Sequence, residues 1–290
     1  ALPIYAAPYG APPLRAARAK PAAAAAASAR QPQGRWWADE DHSWGSGEYI
    51  DWALSPTTTM LRALLHRLSA ALPGQCALCQ AWPSRPLCHA CLARFARPCP
   101  RCLQCARPLP AGVTRCGACL REPPPLDLCL AAVSYEYPWS GLIARYKFGP
   151  SPGWSAPLAG LMRDCPGAAE AIACADLLLP LPLSGPRLRA RGFNQALELA
   201  RQLAPEKTRP DLLLRPRDTP AQSSLALAQR LRNVRGVFDL SAGGAQLVQG
   251  RRLLLVDDVM TTGATLHAAA VPLRAAGAAH ITALVLARTT

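Results

Sequence analysis

Eight cysteines of this 290-residue chain fall in four Cys-x2-Cys pairs, Cys76/Cys79, Cys88/Cys91, Cys102/Cys105 and Cys116/Cys119. Few local folds accommodate that spacing. A Cys-x2-Cys turn aims two thiolates at one point, and two such turns supply the tetrahedral sulfur shell of structural zinc. Eight thiolates are enough for two Zn2+ ions, and a closed four-cysteine site has no open position for water, so the expected metals, one or two, are structural. The intervening loops carry Pro83, Pro86, Pro108, Pro110 and Gly112, as expected of segments with little core of their own. An iron–sulfur cluster or disulfides are the competing readings. Cys99 and His89 are candidate substitute ligands, while Cys129, Cys165 and Cys174 read as buried small apolar residues.

Pro123-Pro124-Pro125 closes this module and the pattern changes. Apolar runs near Leu126–Tyr135, Asp176–Leu181, Asp211–Leu214, Arg252–Asp257 and His280–Ala287 read as strands. Helical stretches near Ala156–Asp164, Asn194–Leu203, Ser224–Asn233 and Ala264–Ala275 fall between them. Continuously apolar strands alternating with helices predict an α/β fold, a mostly parallel sheet covered on both faces. The expected organisation is thus a small double zinc module with a short amphipathic helix over residues 60–125, then an α/β domain over 126–290. The leucines at 61, 64, 65, 68 and 72 make the stripe of that helix.

Residues 1–59 mix proline, alanine and glycine with Trp36, Trp37, Trp44 and Trp52 in no period, and are expected to be disordered. The first methionine is Met60, which predicts that translation starts there; peptides from upstream of Met60 in the natural protein would contradict this. No apolar run approaches the roughly 18 residues of a membrane span. The alanine run from Ala22 to Ala27 is too short and weakly hydrophobic for a signal peptide. Cysteines paired as metal ligands suit a reducing compartment, so the expected location is cytoplasmic. The net charge of +14 resides wholly beyond residue 59, with +8 in residues 60–125, a balance that suits polyanionic partners.

The chemistry concentrates in Val256-Asp257-Asp258-Val259-Met260-Thr261-Thr262-Gly263-Ala264-Thr265. A strand running into a helix N-terminus presents unpaired backbone N–H groups and the positive end of the helix dipole, a natural seat for phosphate. Thr261, Thr262 and Thr265 add hydroxyls, and Gly263 lets the backbone curl close to the anion. Adjacent carboxylates would repel a phosphate placed on them, so Asp257 and Asp258 fit as acceptors for sugar hydroxyls beside it. Helix capping alone is the competing reading. Arg187, Arg189 and Arg191 cluster in an expected loop after the Asp176–Leu181 strand, where Arg forks could hold pyrophosphate oxygens. Lys147 is a further cation. No general base stands out, since His267 and His280 read as structural.

Val256 to Thr265 resembles the signature by which type I phosphoribosyltransferases hold 5-phosphoribosyl 1-pyrophosphate. In that resemblance Asp257 and Asp258 match the ribose-hydroxyl carboxylates, and Thr261, Thr262, Gly263, Ala264 and Thr265 match the 5-phosphate loop. Arg191-Gly-Phe-Asn-Gln195 after Leu179-Pro-Leu-Pro-Leu183, Tyr146-Lys147-Phe148, Thr219-Pro-Ala-Gln222, Arg230-Leu-Arg-Asn233 and the paired cysteine module together resemble the ComF family, the competence-protein-F-like proteins. The resemblance runs from about Cys76 to Arg288. It implies a phosphoribosyltransferase-type fold, binding of phosphoribosyl pyrophosphate with Mg2+ or of a nucleotide, and a link to DNA uptake and natural transformation. Single-stranded DNA and competence-machinery proteins are the implied partners, and the implied reaction, where there is one, is phosphoribosyl transfer. A non-catalytic sensor that binds single-stranded DNA is the alternative.

Overall fold

The computed structural model describes residues 74–149, 152–216 and 236–290. The N-terminal stretch, Met60, the amphipathic helix expected at Leu61–Leu72, Gln222 and the helix expected at Ser224–Asn233 lie outside the described residues.

In the cysteine module the second Cys-x2-Cys pair of each four opens a short helix, α1 (His89–Phe95) after Cys88 and α2 (Gly117–Arg121) after Cys116, while the first pair of each four lies in a turn. The α/β body follows with β1 (Leu128–Ser134), α3 (Trp139–Phe148), α4 (Ser155–Arg163), α5 (Ala168–Cys174) and β2 (Leu177–Pro180). It continues with α6 (Gly185–Arg191), α7 (Gln195–Leu203), β3 (Leu213–Leu214), β4 (Asp239–Leu240) and α8 (Gly244–Val248). The last elements are β5 (Arg252–Met260), α9 (Ala264–Ala275) and β6 (His280–Arg288). Strands β1, β6, β5 and β2 form, in that order, a wholly parallel four-stranded sheet, with Leu254 opposite Thr282 and Leu178 opposite Leu254. The expected α/β class with a parallel sheet is therefore what the chain adopts. The Asp211–Leu214 strand does not join that sheet, because its two paired residues turn antiparallel to β4.

The sheet buries both faces, which is why its strands read as unbroken apolar runs. One face carries Leu253, Leu255, Ile281, Ala283 and Val285 against Leu266, Ala269, Ala270 and Leu273 of α9. The other carries Leu254, Val256, Leu284 and Leu286 against Trp139, Leu142 and Tyr146 of α3, Leu158 and Met162 of α4, and Leu199 of α7. The cysteine module straddles the β1 edge. Leu78, Leu92 and Phe95 of its first half pack on the α3 side, whereas all four cysteines of its second half join the α9 side. The Leu103 carbonyl accepts the outward Cys129 N–H at 2.7 Å, so a module loop covers the β1 edge.

Three sequence expectations change. Arg187, Arg189 and Arg191 lie on a helix, α6, rather than in a loop; Pro186 is compatible with its first turn, and Gly192 at φ +79° ends it. Strand β5 runs to Met260, three residues past Asp257, because β6 pairs with it as far as Arg288. Cys174 is exposed and Cys165 only half-buried, while Cys129 is buried as expected.

Candidate functional site

Where β5 ends, the chain turns through Thr261, Thr262 and Gly263 into the 12-residue α9. Gly263 sits at φ +86°, and a Cβ there would lie 2.5 Å from Met260 Cε and 2.9 Å from His267 Nε2. Only glycine fits the turn without displacing those side chains. Thr262 Oγ1 accepts the Ala264 N–H at 3.3 Å. Asp257, Thr261, Gly263, Ala264 and Thr265 are among the residues lining a hollow of about 40 Å³.

The two carboxylates have different surroundings. Asp258 is buried, and two cations converge on it: Lys147 Nζ at 3.0 Å from Oδ1 and Arg191 Nη1 at 3.9 Å from Oδ2. Lys147 comes from the last turn of α3 and Arg191 from the end of α6. Their helices are fixed by one residue of α7, Gln195, whose Nε2 donates to the Lys147 carbonyl while its Oε1 accepts from Arg191. Tyr146 adds a hydrogen bond from its hydroxyl to the Gln195 carbonyl at 3.0 Å. Asn194 caps α7 through the Ala196 and Leu197 N–H groups and donates to Leu181, which ties α7 to the end of β2. Arg187 is half-buried on α6 beside this group.

Asp257 is half-buried and lines the hollow. Burial, then the Asp258 charge, push its carboxyl up to about 7, against the pull of Lys147, the Asp258 N–H and Arg191. From the usual 3.8 up to about 7 the folded chain therefore keeps a proton that the unfolded chain gives up. Bound protons are then more numerous in the folded state, so this group's contribution to stability falls as pH rises through that window. An Asp257→Asn variant is expected to gain stability over the parent as pH rises from 5 to 8, by on the order of 5 °C in Tm at pH 8. Thermal unfolding at both pH values checks this; an equal advantage at each would contradict it.

Behind the turn lies a brace that sequence reasoning did not single out. Arg288, 3% exposed at the end of β6, donates from Nε to the Cys105 carbonyl at 2.8 Å and from Nη1 to the Met260 carbonyl at 3.4 Å. The next residue, Thr289, donates its N–H to Met260 at 3.0 Å and its hydroxyl to the Thr261 carbonyl at 3.4 Å. An arginine ending a strand has no sequence signal that separates this role from solvent exposure. His267 is packed behind Gly263; burial, then Arg288, hold its imidazole down at about 4, and it is neutral.

The cysteines gather in two groups, Cys76/Cys79/Cys88/Cys91 and Cys102/Cys105/Cys116/Cys119, with the sulfurs of each group within 4.8 Å of one another. Sulfur pairs stand 3.9 Å (Cys76 to Cys91), 3.6 Å (Cys79 to Cys88) and 3.7 Å (Cys105 to Cys116) apart. A zinc tetrahedron with bonds of about 2.3 Å has edges of about 3.8 Å, so the donor sets fit Zn2+. Backbone N–H groups point at the sulfurs, Cys88 to Cys76 at 3.4 Å and Cys116 to Cys102 at 3.3 Å, as stabilises thiolate. Neither His89 nor Cys99 belongs to either group.

A family model described as the phosphoribosyl transferase domain matches residues 189–289. The chain is 31% identical over 231 residues to the DNA utilization protein YhgH of Salmonella typhimurium, covering 75% of this chain and 98% of that protein. It is 32% identical over 209 residues to competence protein F of Haemophilus influenzae, covering 70% and 90%. With competence protein ComFC of Bacillus subtilis it shares 39% identity over 94 residues, 32% of this chain and 36% of the relative. Among the described residues, no helix is long and apolar enough to cross a membrane.

Proposed function

The chain belongs to the ComF family, that of competence protein F and the DNA utilization protein YhgH, and from this premise we propose that its β5–α9 turn binds a 5-phosphoribosyl group. The ligand in this reading is phosphoribosyl pyrophosphate or a nucleotide, met in the cytoplasm in the course of DNA uptake or utilization. What carries the reading is a carboxylate pair, Asp257 and Asp258, set directly before the Thr261–Thr265 helix entrance and joined there by Lys147 and Arg191. Asp257 accepts from ribose hydroxyls, the turn's N–H groups and threonines take the 5-phosphate, and Lys147 and Arg191 face the pyrophosphate. Mg2+ arrives with that pyrophosphate as part of the ligand. In transfer, an acceptor's lone pair bonds the anomeric carbon as its bond to pyrophosphate breaks, and the cations stabilise the leaving charge. The two cysteine groups hold structural zinc.

One observation favours a second reading, a non-catalytic sensor that also contacts single-stranded DNA. His267, the histidine packed against the turn, is half-buried and its Nε2 is enclosed behind Gly263, so that nitrogen does not face the hollow as a base. The cysteine module meanwhile exposes Arg85, Arg94 and Arg97, which suit phosphates. Calorimetry of the zinc-loaded chain with phosphoribosyl pyrophosphate and Mg2+ tests the main reading, with Asp257→Ala/Asp258→Ala beside it. Saturable heat that falls at least about a hundredfold in affinity in the variant supports it; no heat in the folded parent sinks it. Free pyrophosphate released on adding an acceptor selects transfer, and its absence selects sensing.

A further inference from the structure

At the mouth of this site Phe148 is 76% exposed, an aromatic ring in water beside a cluster of buried charge. Its position is held rather than loose. Gln195 fixes the preceding carbonyl, Tyr146 two residues back on the opposite face of α3 is fully buried, and Gly149 takes the chain off α3 so tightly that a Cβ there would stand 2.5 Å from the Arg145 carbonyl. The Arg191 guanidinium lies over the ring at 5.7 Å from its centroid, while the same guanidinium reaches Asp258. The ring thus stands one guanidinium away from the carboxylates assigned to the ribose. Leaving a phenylalanine exposed on a fixed backbone forgoes the stabilisation its burial would give, and the Arg191 guanidinium leaves most of the ring in water.

We propose that Phe148, with Arg191, forms a stacking platform for a nucleobase, so that the ligand is a nucleoside 5'-phosphate unit with its base attached rather than a bare sugar phosphate. This rests on the phosphoribosyl reading above and adds the base to it. A flat base placed on the open part of the ring gains stacking, every base having a π-face, and the adjoining guanidinium strengthens it. The unit is supplied either by a free nucleotide or by a strand bearing a terminal 5'-phosphate.

The experiment compares ribose 5-phosphate, adenosine and uridine 5'-monophosphates and a 5'-phosphorylated oligodeoxynucleotide by calorimetry on the full zinc-loaded chain. The parent, Phe148→Ala and Phe148→Trp are each titrated. In the parent the monophosphates are expected to bind about tenfold or more tighter than ribose 5-phosphate, the factor that one stacked base supplies. Phe148→Ala removes that preference and leaves ribose 5-phosphate where it was; Phe148→Trp restores it. If the oligonucleotide alone loses affinity in Phe148→Ala, the base belongs to a strand, and if the monophosphates lose it, to a free nucleotide. Equal affinities of the parent for the monophosphates and for ribose 5-phosphate overturn the platform while leaving the phosphoribosyl site standing. Failure of every ligand to bind overturns both.

Discussion

A Cys119→Ser substitution is expected to destabilise the whole α/β body, by more than about 4 kcal/mol, whereas Cys79→Ser costs far less. The difference lies in what surrounds each group. Cys102, Cys105, Cys116 and Cys119 are all buried and belong to the same core as Leu253, Leu255 and Ile281. Cys79 is exposed, and none of the first group's cysteines belongs to either sheet-face core. A thiolate lost from the second group therefore leaves an incomplete charged site inside the core, where the remaining ligands can neither pair nor hydrate. Thermal unfolding followed by circular dichroism, with zinc stoichiometry measured on the same samples, decides this. Similar losses of Tm in the two variants would mean that the second group does not support the sheet.

Arg288→Met is expected to cost about 2–4 kcal/mol and to weaken sugar-phosphate binding at the same time. The methionine fills the stem's volume but leaves the buried Cys105 carbonyl without its donor. It also frees the Met260 carbonyl from one of its two donors, the other being the Thr289 N–H. The turn that begins at Thr261 then rests on Thr289 alone. A fall in Tm on the order of 10 °C, accompanied by a fall in affinity for ribose 5-phosphate, is the expected pair of results. Loss of stability with unchanged affinity would show that the brace is remote from ligand binding.

The parts of this architecture that repeat a local chemical pattern were legible from sequence. The cysteine spacing located both groups, and α9 was delimited to its last residue because Gly263 and the alanine run bound it. The apolar runs located β1, β2, β5 and β6, since a strand buried on both faces has no polar alternation to confuse it. What escaped depended on partners distant in sequence. Helix α3 buries Trp139, Leu142, Ile143 and Tyr146 at helical spacing, so its stripe is present in the sequence, but it spans barely two turns between Pro138 and Gly149 and is overshadowed by the longer apolar runs around it. Helix α6 opens with Gly185-Pro186 and carries three arginines, so it reads as a turn followed by a charged loop. The grouping of Lys147 and Arg191 on Asp258 depends on Gln195, whose importance as a clamp between two helices exists only in three dimensions.

The order of strands across the sheet has a bearing on how the protein comes into being. Strand β6, the latest of the four to leave the ribosome, lies between β1 and β5, while β1 and β2 stand at the two edges. Until β6 emerges, β1 has no strand beside it on that side, and the nascent polypeptide holds an apolar ribbon with unsatisfied amides. Both sets of zinc ligands precede β1, so ion capture can come first and give the growing chain a folded nucleus on which Cys129 and the Leu103 loop already meet. A cell short of zinc would thus harm this protein during its synthesis, before the sheet that the ion-bound module supports has formed.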